Sequence, residues 1–259
     1  MAKESKVTQI YDDYVAHLNA DKSQRYDGKE EWFHSSSAGL CARKHYYSSV
    51  GKIKQAPKDA DTMRLFRLGD VIHTDIQDAV TWHATNSGAR IFIEKELYLH
   101  DLNVRGFIDL IMVDDGVLYD IKSCNYWKWR TINRKSKYYD PNSVKNYMMQ
   151  TATYAHWYNT YYVHDYPKVK SMALLFYNKN DSKMQELEIP MSMIGEAVDY
   201  WEKINEAVKE GVPPIKPMKK GAPISERYGF APVLEWECNS KYCSYFEACG
   251  GGLYAEKRK

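Results

Sequence analysis

Hydrophobic and polar positions follow two periods along this chain. From Asp61, the residues Leu65, Leu68, Ile72, Ile76 and Val80 recur at spacings of three and four, the period of one helical face. Asp61 or Thr62 is placed to cap that helix. Arg90–Leu99, Val104–Val113 and Val117–Lys122 then read as three strands, the last two joined by the hairpin signal Asp114-Asp115-Gly116. A second helix is predicted from Val144 to about Tyr161, entered through Asp140-Pro141-Asn142-Ser143. Ser171–Tyr177 and Met184–Ile189 are two further strands. The last helix carries Ile194, Val198, Trp201, Ile204 and Val208 on one face and stops at Gly211 and Pro213-Pro214. This order predicts an α/β sandwich with a mixed sheet. Residues 1–60 are polar and mixed, with a Ser35–Gly39 turn before Cys41, and the tail from Ile215 is loop-rich.

Composition narrows the class. With 44% apolar and 27% charged residues the chain reads as an ordinary globular protein, and 259 residues suffice for one substantial core. A single domain spanning residues 1–259 is expected. Lysine and arginine (36) nearly balance aspartate and glutamate (34), so any case for nucleic-acid binding must rest on local charge placement. No segment approaches the roughly 20 apolar residues of a membrane helix, and the N-terminus lacks a signal-peptide run. A cytoplasmic location is expected, with no membrane partner. Five cysteines in that compartment favour metal or cluster ligation over disulfides.

The chemistry concentrates on two strands. Asp120 and Lys122 are two apart, hence on one face of their strand, and the hairpin brings Asp109 alongside. Any one of these residues alone would read as a solvated strand edge. Together, two carboxylates on neighbouring strands offer hard oxygen ligands for Mg²⁺ or Mn²⁺, with an ammonium beside them.

Four ordered segments carry a resemblance. Gly69-Asp70-Val71-Ile72-His73, Gly106-Phe107-Ile108-Asp109, Asp120-Ile121-Lys122 and Gln150-Thr151-Ala152-Thr153-Tyr154 resemble, in order, the motifs of RecB-like PD-(D/E)XK nucleases. That group includes the AddB nuclease domain, CRISPR-associated RecB-like exonucleases and phage exonucleases. Ile108 stands where the motif name has proline, and Asp120 is the shorter of the two allowed acids. The resemblance implies a restriction-endonuclease-like core, a mixed central sheet flanked by helices. It also implies that His73, Asp109, Asp120 and the backbone carbonyl of Ile121 hold the divalent metal. Lys122 would orient the attacking water, and Gln150 and Tyr154 would hold the DNA backbone. His73 makes Mn²⁺ a suitable ion, because imidazole suits it better than Mg²⁺.

The cysteines extend the likeness. Cys41 stands far upstream of Cys238, Cys243 and Cys249, as in relatives whose chain ends are joined by an iron–sulfur cluster. Four residues, rather than the usual two, separate Cys238 from Cys243. Four thiolates suit [4Fe–4S] or tetrahedral Zn²⁺, and the resemblance points to the cluster. Residues 35–60 and 215–250 would form this region, in a structural role. Cys124, next to the second carboxylate strand, reads as a packing residue.

DNA contact is expected from Tyr126 to Tyr139, where Trp127, Arg130, Arg134 and Lys135 mix stacking surfaces with positive charge. A solvated loop with aromatic anchors is the equal alternative. Arg43 and Lys44 are further candidates. The reading is therefore a metal-dependent DNA exonuclease acting on ends with single-stranded character, in recombination, repair or phage DNA processing. A CRISPR-adaptation nuclease and a non-catalytic binding module of the same fold are the alternatives. A homo-oligomer or a recombination or CRISPR partner protein would be compatible with it.

Overall fold

The computed structural model describes residues 6–24, 32–50, 59–211, 237–238, 240 and 243–249. Its centre is a six-stranded mixed sheet. Strands β2 (Ile91–Leu99), β3 (Val104–Met112) and β4 (Val117–Cys124) form an antiparallel meander. Strand β5 (Ser171–Asn178) lies parallel to β4, and β6 (Met184–Ile189) antiparallel to β5. A parallel neighbour needs a crossover, supplied by α4 (Tyr126–Ile132) and α5 (Lys145–Tyr161). The two-residue β1 (Phe33–His34) pairs in parallel with the start of β3.

The two edges of β3 are used differently. β2 covers one edge from Val104 to Met112. The other is shared end to end, β1 pairing at Val104–Arg105 and β4 at Leu110–Met112. Residues 106–109 lie between these two partners, and the candidate site is built there.

Helix α5 runs through the interior, with Met148, Ala152, Ala155 and Trp157 in one apolar cluster with Leu118, Met172, Leu174 and Phe176 of the sheet. The amphipathic α6 (Met193–Glu210) packs on it and ends at Gly211 in the left-handed region, as its sequence predicts. Trp201 is fully buried there, its indole Nε1–H donating to Thr153 Oγ1 at 2.9 Å. Helix α2 (Ala42–Val50) docks on α6, with Tyr200 donating to the Leu40 carbonyl and Tyr46 to that of Gly211. Pro213-Pro214 and residues 215–236 lie outside the described residues.

Three expectations need correction. Helix α3 (Ala60–Ser87) is capped not by Asp61 or Thr62 but by Asp59, whose side chain accepts the Thr62 N–H. Its periodic apolar face is only partly used: Leu65 and Leu68 stay 52% and 45% exposed, and the residue it buries is Gln77. The polar N-terminal stretch holds two helices that its periodicity did not announce, α1 (Lys6–Gln24) and α2. The basic and aromatic stretch after β4 begins as helix α4. Asn125 caps it and Trp129 and Ile132 anchor it, but seven residues are too few to display a helical period.

Candidate active site

Strand register sets three carboxylates abreast. Ile93 pairs with Leu110 and Lys95 with Ile108, so Glu94 stands opposite Asp109. Leu110 pairs with Tyr119 and Ile111 with Leu118, so one further step puts Asp109 opposite Asp120. Like charges directly opposite one another weaken a sheet. The row is therefore an arrangement that ordinary strand packing disfavours.

The sheet is also distorted at this row. Glu94 has φ 48°, left-handed backbone that a non-glycine residue adopts only at a cost. On β2, Phe92 packs on the core before Glu94, whereas Leu97 and Leu99 do so after it. On β3, Val104 and Ile108 face the core before Asp109, and Ile111, with Val113 just past the strand, after it. Both strands thus exchange even for odd core positions at the same row. Strict alternation along either strand misses the change.

Hydrogen bonds hold the carboxylates in place. Asp109, 8% exposed, accepts the Ile121 N–H on Oδ2 at 2.7 Å, a side chain bridging to β4 where the ladder stops. His73 of α3 brings Nδ1 to 3.8 Å from the same oxygen. Gln77, one turn further along α3, donates from Nε2 both to Glu94 Oε1 (2.8 Å) and to the Asp109 carbonyl (3.0 Å). Asp120 is fully buried. Lys122 Nζ lies 2.7 Å from its Oδ2, yet at an angle that leaves both carboxylate oxygens without an aligned hydrogen bond. Burial pushes the Asp120 carboxyl up, Lys122 pulls it down, and Asp109 pushes it up again. For Lys122, burial opposes the charge, but Asp120 and Asp109 outweigh it and hold the ammonium above its ordinary range. The Tyr147 ring lies 5.2 Å from Lys122 Nζ.

Gly106 explains the first residue of its motif. A Cβ there would meet Ser35 Oγ at 2.0 Å and the Tyr154 ring at 3.2 Å. The absent side chain admits a buried chain of bonds: Gln150 Nε2 donates to Tyr154 OH at 2.7 Å, and Ser35 Oγ donates to the same oxygen at 3.1 Å. Gln150 and Tyr154 are 5% and 2% exposed, so they lie in the interior beneath the carboxylates rather than at the surface. The phenol feels both carboxylates, and burial pushes its pKa upward.

The donor set suits a hard divalent cation with some affinity for imidazole. Ligand atoms of His73, Glu94 and Asp109 all lie within 4.8 Å of one another, and Asp120 adds buried oxygens that lack aligned hydrogen-bond donors.

The four cysteines converge elsewhere, at a second pocket. Cys41, Cys238, Cys243 and Cys249 line one pocket with Arg43, Lys44, Tyr47 and Glu237. Tyr245 is buried and stacks on Tyr47, docking the tail onto α2. Glu237, 4% exposed, accepts the Cys41 N–H at 2.6 Å and lies 3.7 Å from Lys44. Lys44 is thus directed at the pocket, and Arg43 bonds Tyr47. Burial and Glu237 push the Cys41 thiol up to about 12. Among the described residues, no three thiols fall within 4.8 Å of one another. A tetrahedral zinc with bonds of about 2.3 Å would need sulfurs roughly 3.8 Å apart. Cys124 is buried away from this pocket, in the core cluster.

The basic and aromatic segment stands apart from both places. Trp127 is 71% exposed. Arg130 lies over the Tyr138 ring at 3.7 Å and near those of Trp127 and Tyr126. Arg134 and Lys135 line an open groove of about 600 Å³ with Tyr119, Gln185 and Glu186, which includes none of the carboxylate row.

Glu94, Gln77 and Glu237 escaped the sequence reading. Gln77 carried a signal, being four residues beyond His73 and so on the same helical face. Glu94 lies among charged strand residues, and only the register distinguishes it.

No protein-family model matches the chain, and no curated protein does. Solved structures do. The chain is similar to the crystal structure of SSO0001, with 14% identity over 93% of this chain and 96% of that one and a TM-score of 0.53. Weaker likeness connects it to an alkaline exonuclease, LHK-Exo, from Laribacter hongkongensis (11% identity, 73% and 93% covered, TM-score 0.41). The same protein in complex with dAMP gives 12% identity, the same coverage and a TM-score of 0.42. The likeness to SSO0001 is one of fold. Among the described residues, no helix is long and apolar enough to cross a membrane.

Proposed function

We propose that this chain is a metal-dependent deoxyribonuclease that hydrolyses phosphodiester bonds from DNA ends. One observation carries the reading. A fully buried carboxylate, Asp120, lacks an aligned hydrogen-bond donor and sits 2.7 Å from the Lys122 ammonium, in line with Asp109. Burying a carboxylate beside a second carboxylate, with one ammonium as its close partner, is costly. A fold retains it where a cation completes the site.

Asp109, Asp120, His73 and the Ile121 carbonyl are the groups that would hold Mg²⁺ or Mn²⁺. Bound there, the ion would lower the pKa of a water and offset charge on the scissile phosphate. Lys122 remains protonated and directs its charge at the place where phosphate negative charge grows. The Ile121 N–H fixes the Asp109 carboxylate, leaving its second oxygen available. Gln150, Tyr154 and Ser35 support the row from below, a positioning role. Trp127, Arg134 and Lys135 are exposed and offer stacking and phosphate contacts to the strand.

The four cysteines would hold a [4Fe–4S] cluster as a structural link between the segment at Cys41 and the tail. The layout of one distant cysteine and a C-terminal trio favours this over zinc, whose sites are usually built from two short cysteine pairs.

The test is digestion of end-labelled single- and double-stranded DNA with Mn²⁺, Mg²⁺ or EDTA, comparing wild type with Asp120→Asn. Metal-dependent loss of label from one end, absent in the variant, is expected. Intact protein that binds DNA but cleaves none of these substrates would instead identify a binding module.

A further inference from the structure

We propose that Glu94 is a metal ligand, so that Glu94 and His73, the latter reassigned from the first ion, form with Asp109 a second divalent-cation position beside one held by Asp109, Asp120 and the Ile121 carbonyl. The proposal rests on the nuclease reading and adds a residue and a stoichiometry to it.

The geometry separates two donor groups. His73, Glu94 and Asp109 bring ligand atoms within 4.8 Å of one another, and Asp120 is not in that set. Asp120 stands on the far side of Asp109 in the register, with its own buried, donor-poor oxygens. Asp109 is the common member, with one carboxylate oxygen already fixed by Ile121 N–H. An imidazole and two carboxylates form a donor set suited to Mn²⁺.

Three features of Glu94 have no use in a merely solvated side chain. Its backbone is left-handed, and the strand changes its core-facing parity there. It faces Asp109 with no strand pairing between them, although like charges in that position repel. Its hydrogen-bond donor is the neutral amide of Gln77, which orients the carboxylate without neutralising it. The same amide grips the Asp109 carbonyl, so one helical side chain sets the spacing of both acids. A cation between them would remove the repulsion that the register creates.

The probe is Mn²⁺ alone, titrated without DNA into the full chain carrying its native cysteine-bound group. Binding is followed by calorimetry and by the electron paramagnetic resonance of free Mn²⁺. Wild type is expected to take two ions per chain. Glu94→Gln keeps an oxygen for Gln77 and so preserves the fold, but should lose one ion or bind it at least tenfold more weakly. Glu94→Gly relieves the left-handed backbone and should lose the same ion while unfolding no more easily than wild type. Asp120→Asn should lose the other ion. If both Glu94 variants bind Mn²⁺ as wild type does while Asp120→Asn binds less, Glu94 is no ligand and the nuclease reading stands. A wild-type chain that binds no Mn²⁺ would overturn both.

Discussion

The carboxylate row and the cysteine pocket are assembled in opposite ways. The row draws on residues 94–122, three strands joined by short turns, with His73 and Gln77 added from the helix immediately before. Its geometry follows from strand register, and the hydrogen bonds that hold it are made within the fold. The pocket draws on Cys41 and on residues 237–249, close to two hundred positions later, and its tail side is built of turns. Docking there rests on Glu237 against the Cys41 amide and Tyr245 against Tyr47. A site made by a ladder is rigid before any ligand arrives. A site made by two distant segments gains most of its stability from whatever joins them, because the link restricts a very long loop.

The largest expected effects set these two regions against each other. Asp120→Asn should lower DNA cleavage by on the order of 10²–10³-fold or more, with the cysteine pocket and whatever it holds unchanged. If the proposed cluster joins the pocket, Cys243→Ser should do the reverse, losing that iron and on the order of 4 kcal/mol of unfolding free energy, as expected for opening so long a loop. Urea melts and iron content measure the second effect, and end-labelled DNA the first. Should Cys243→Ser leave stability intact and abolish cleavage, the pocket belongs to catalysis and the contrast collapses.

A smaller effect tests the seam between the regions. The Ser35–Ser37 turn leads from β1 toward Cys41, and Ser35 occupies the space over Gly106. Gly106→Ala should cost about 1–3 kcal/mol by overpacking. Adding Ser35→Gly should recover part of it, because the clash is with that side chain. Additive losses in the double variant would show that Gly106 is needed for another reason.

An effect of comparable size, read out through pH, lies on the cysteine side. His45 of α2 is 4% exposed among Phe33, Tyr200 and Trp201, with Nε2 bonded to the Ser37 carbonyl. Burial lowers its pKa to about 4, while an unfolded chain protonates near 6.5. Between those values the unfolded state binds the extra proton, so stability falls as pH falls. Moving from pH 7 to pH 5 should cost wild type about 2 kcal/mol through this group, and His45→Gln should be that much less sensitive. Equal pH slopes in the two proteins would remove His45 from the account.

How much was legible can be judged residue by residue. The β3–β4 hairpin was readable because Asp114-Asp115-Gly116 states its turn: Gly116 has φ 70°, and its N–H closes on the Met112 carbonyl. Helix α6 announced itself through its apolar period, and α5 through its Asp140-Pro141-Asn142-Ser143 entry. Asp109, Asp120 and Lys122 stood out as charge on strands otherwise apolar. Helix α4 was too short for a period, and β1 too short for any pattern. Gln150 and Tyr154 share a helical face, but spacing cannot say whether that face meets solvent or core. Arg43, Lys44 and Arg130 read as candidate DNA contacts, and spacing could not say that they also meet Tyr47, Glu237 and an aromatic cluster.

By itself the amino-acid sequence determined the main α/β order from α3 to α6, the β3–β4 hairpin, the two carboxylate strands with their lysine, and the set of four cysteines. These are local properties, written in periods of two and 3.6 and in turn chemistry. Only the tertiary structure decided that Glu94 joins Asp109 and Asp120 in one row, that Gln77 clamps it, and that Cys41 meets the tail beside Glu237. Each depends on which strand or segment lies beside which. Side chains that meet across such a boundary are fixed by packing, and no periodicity along the chain encodes it.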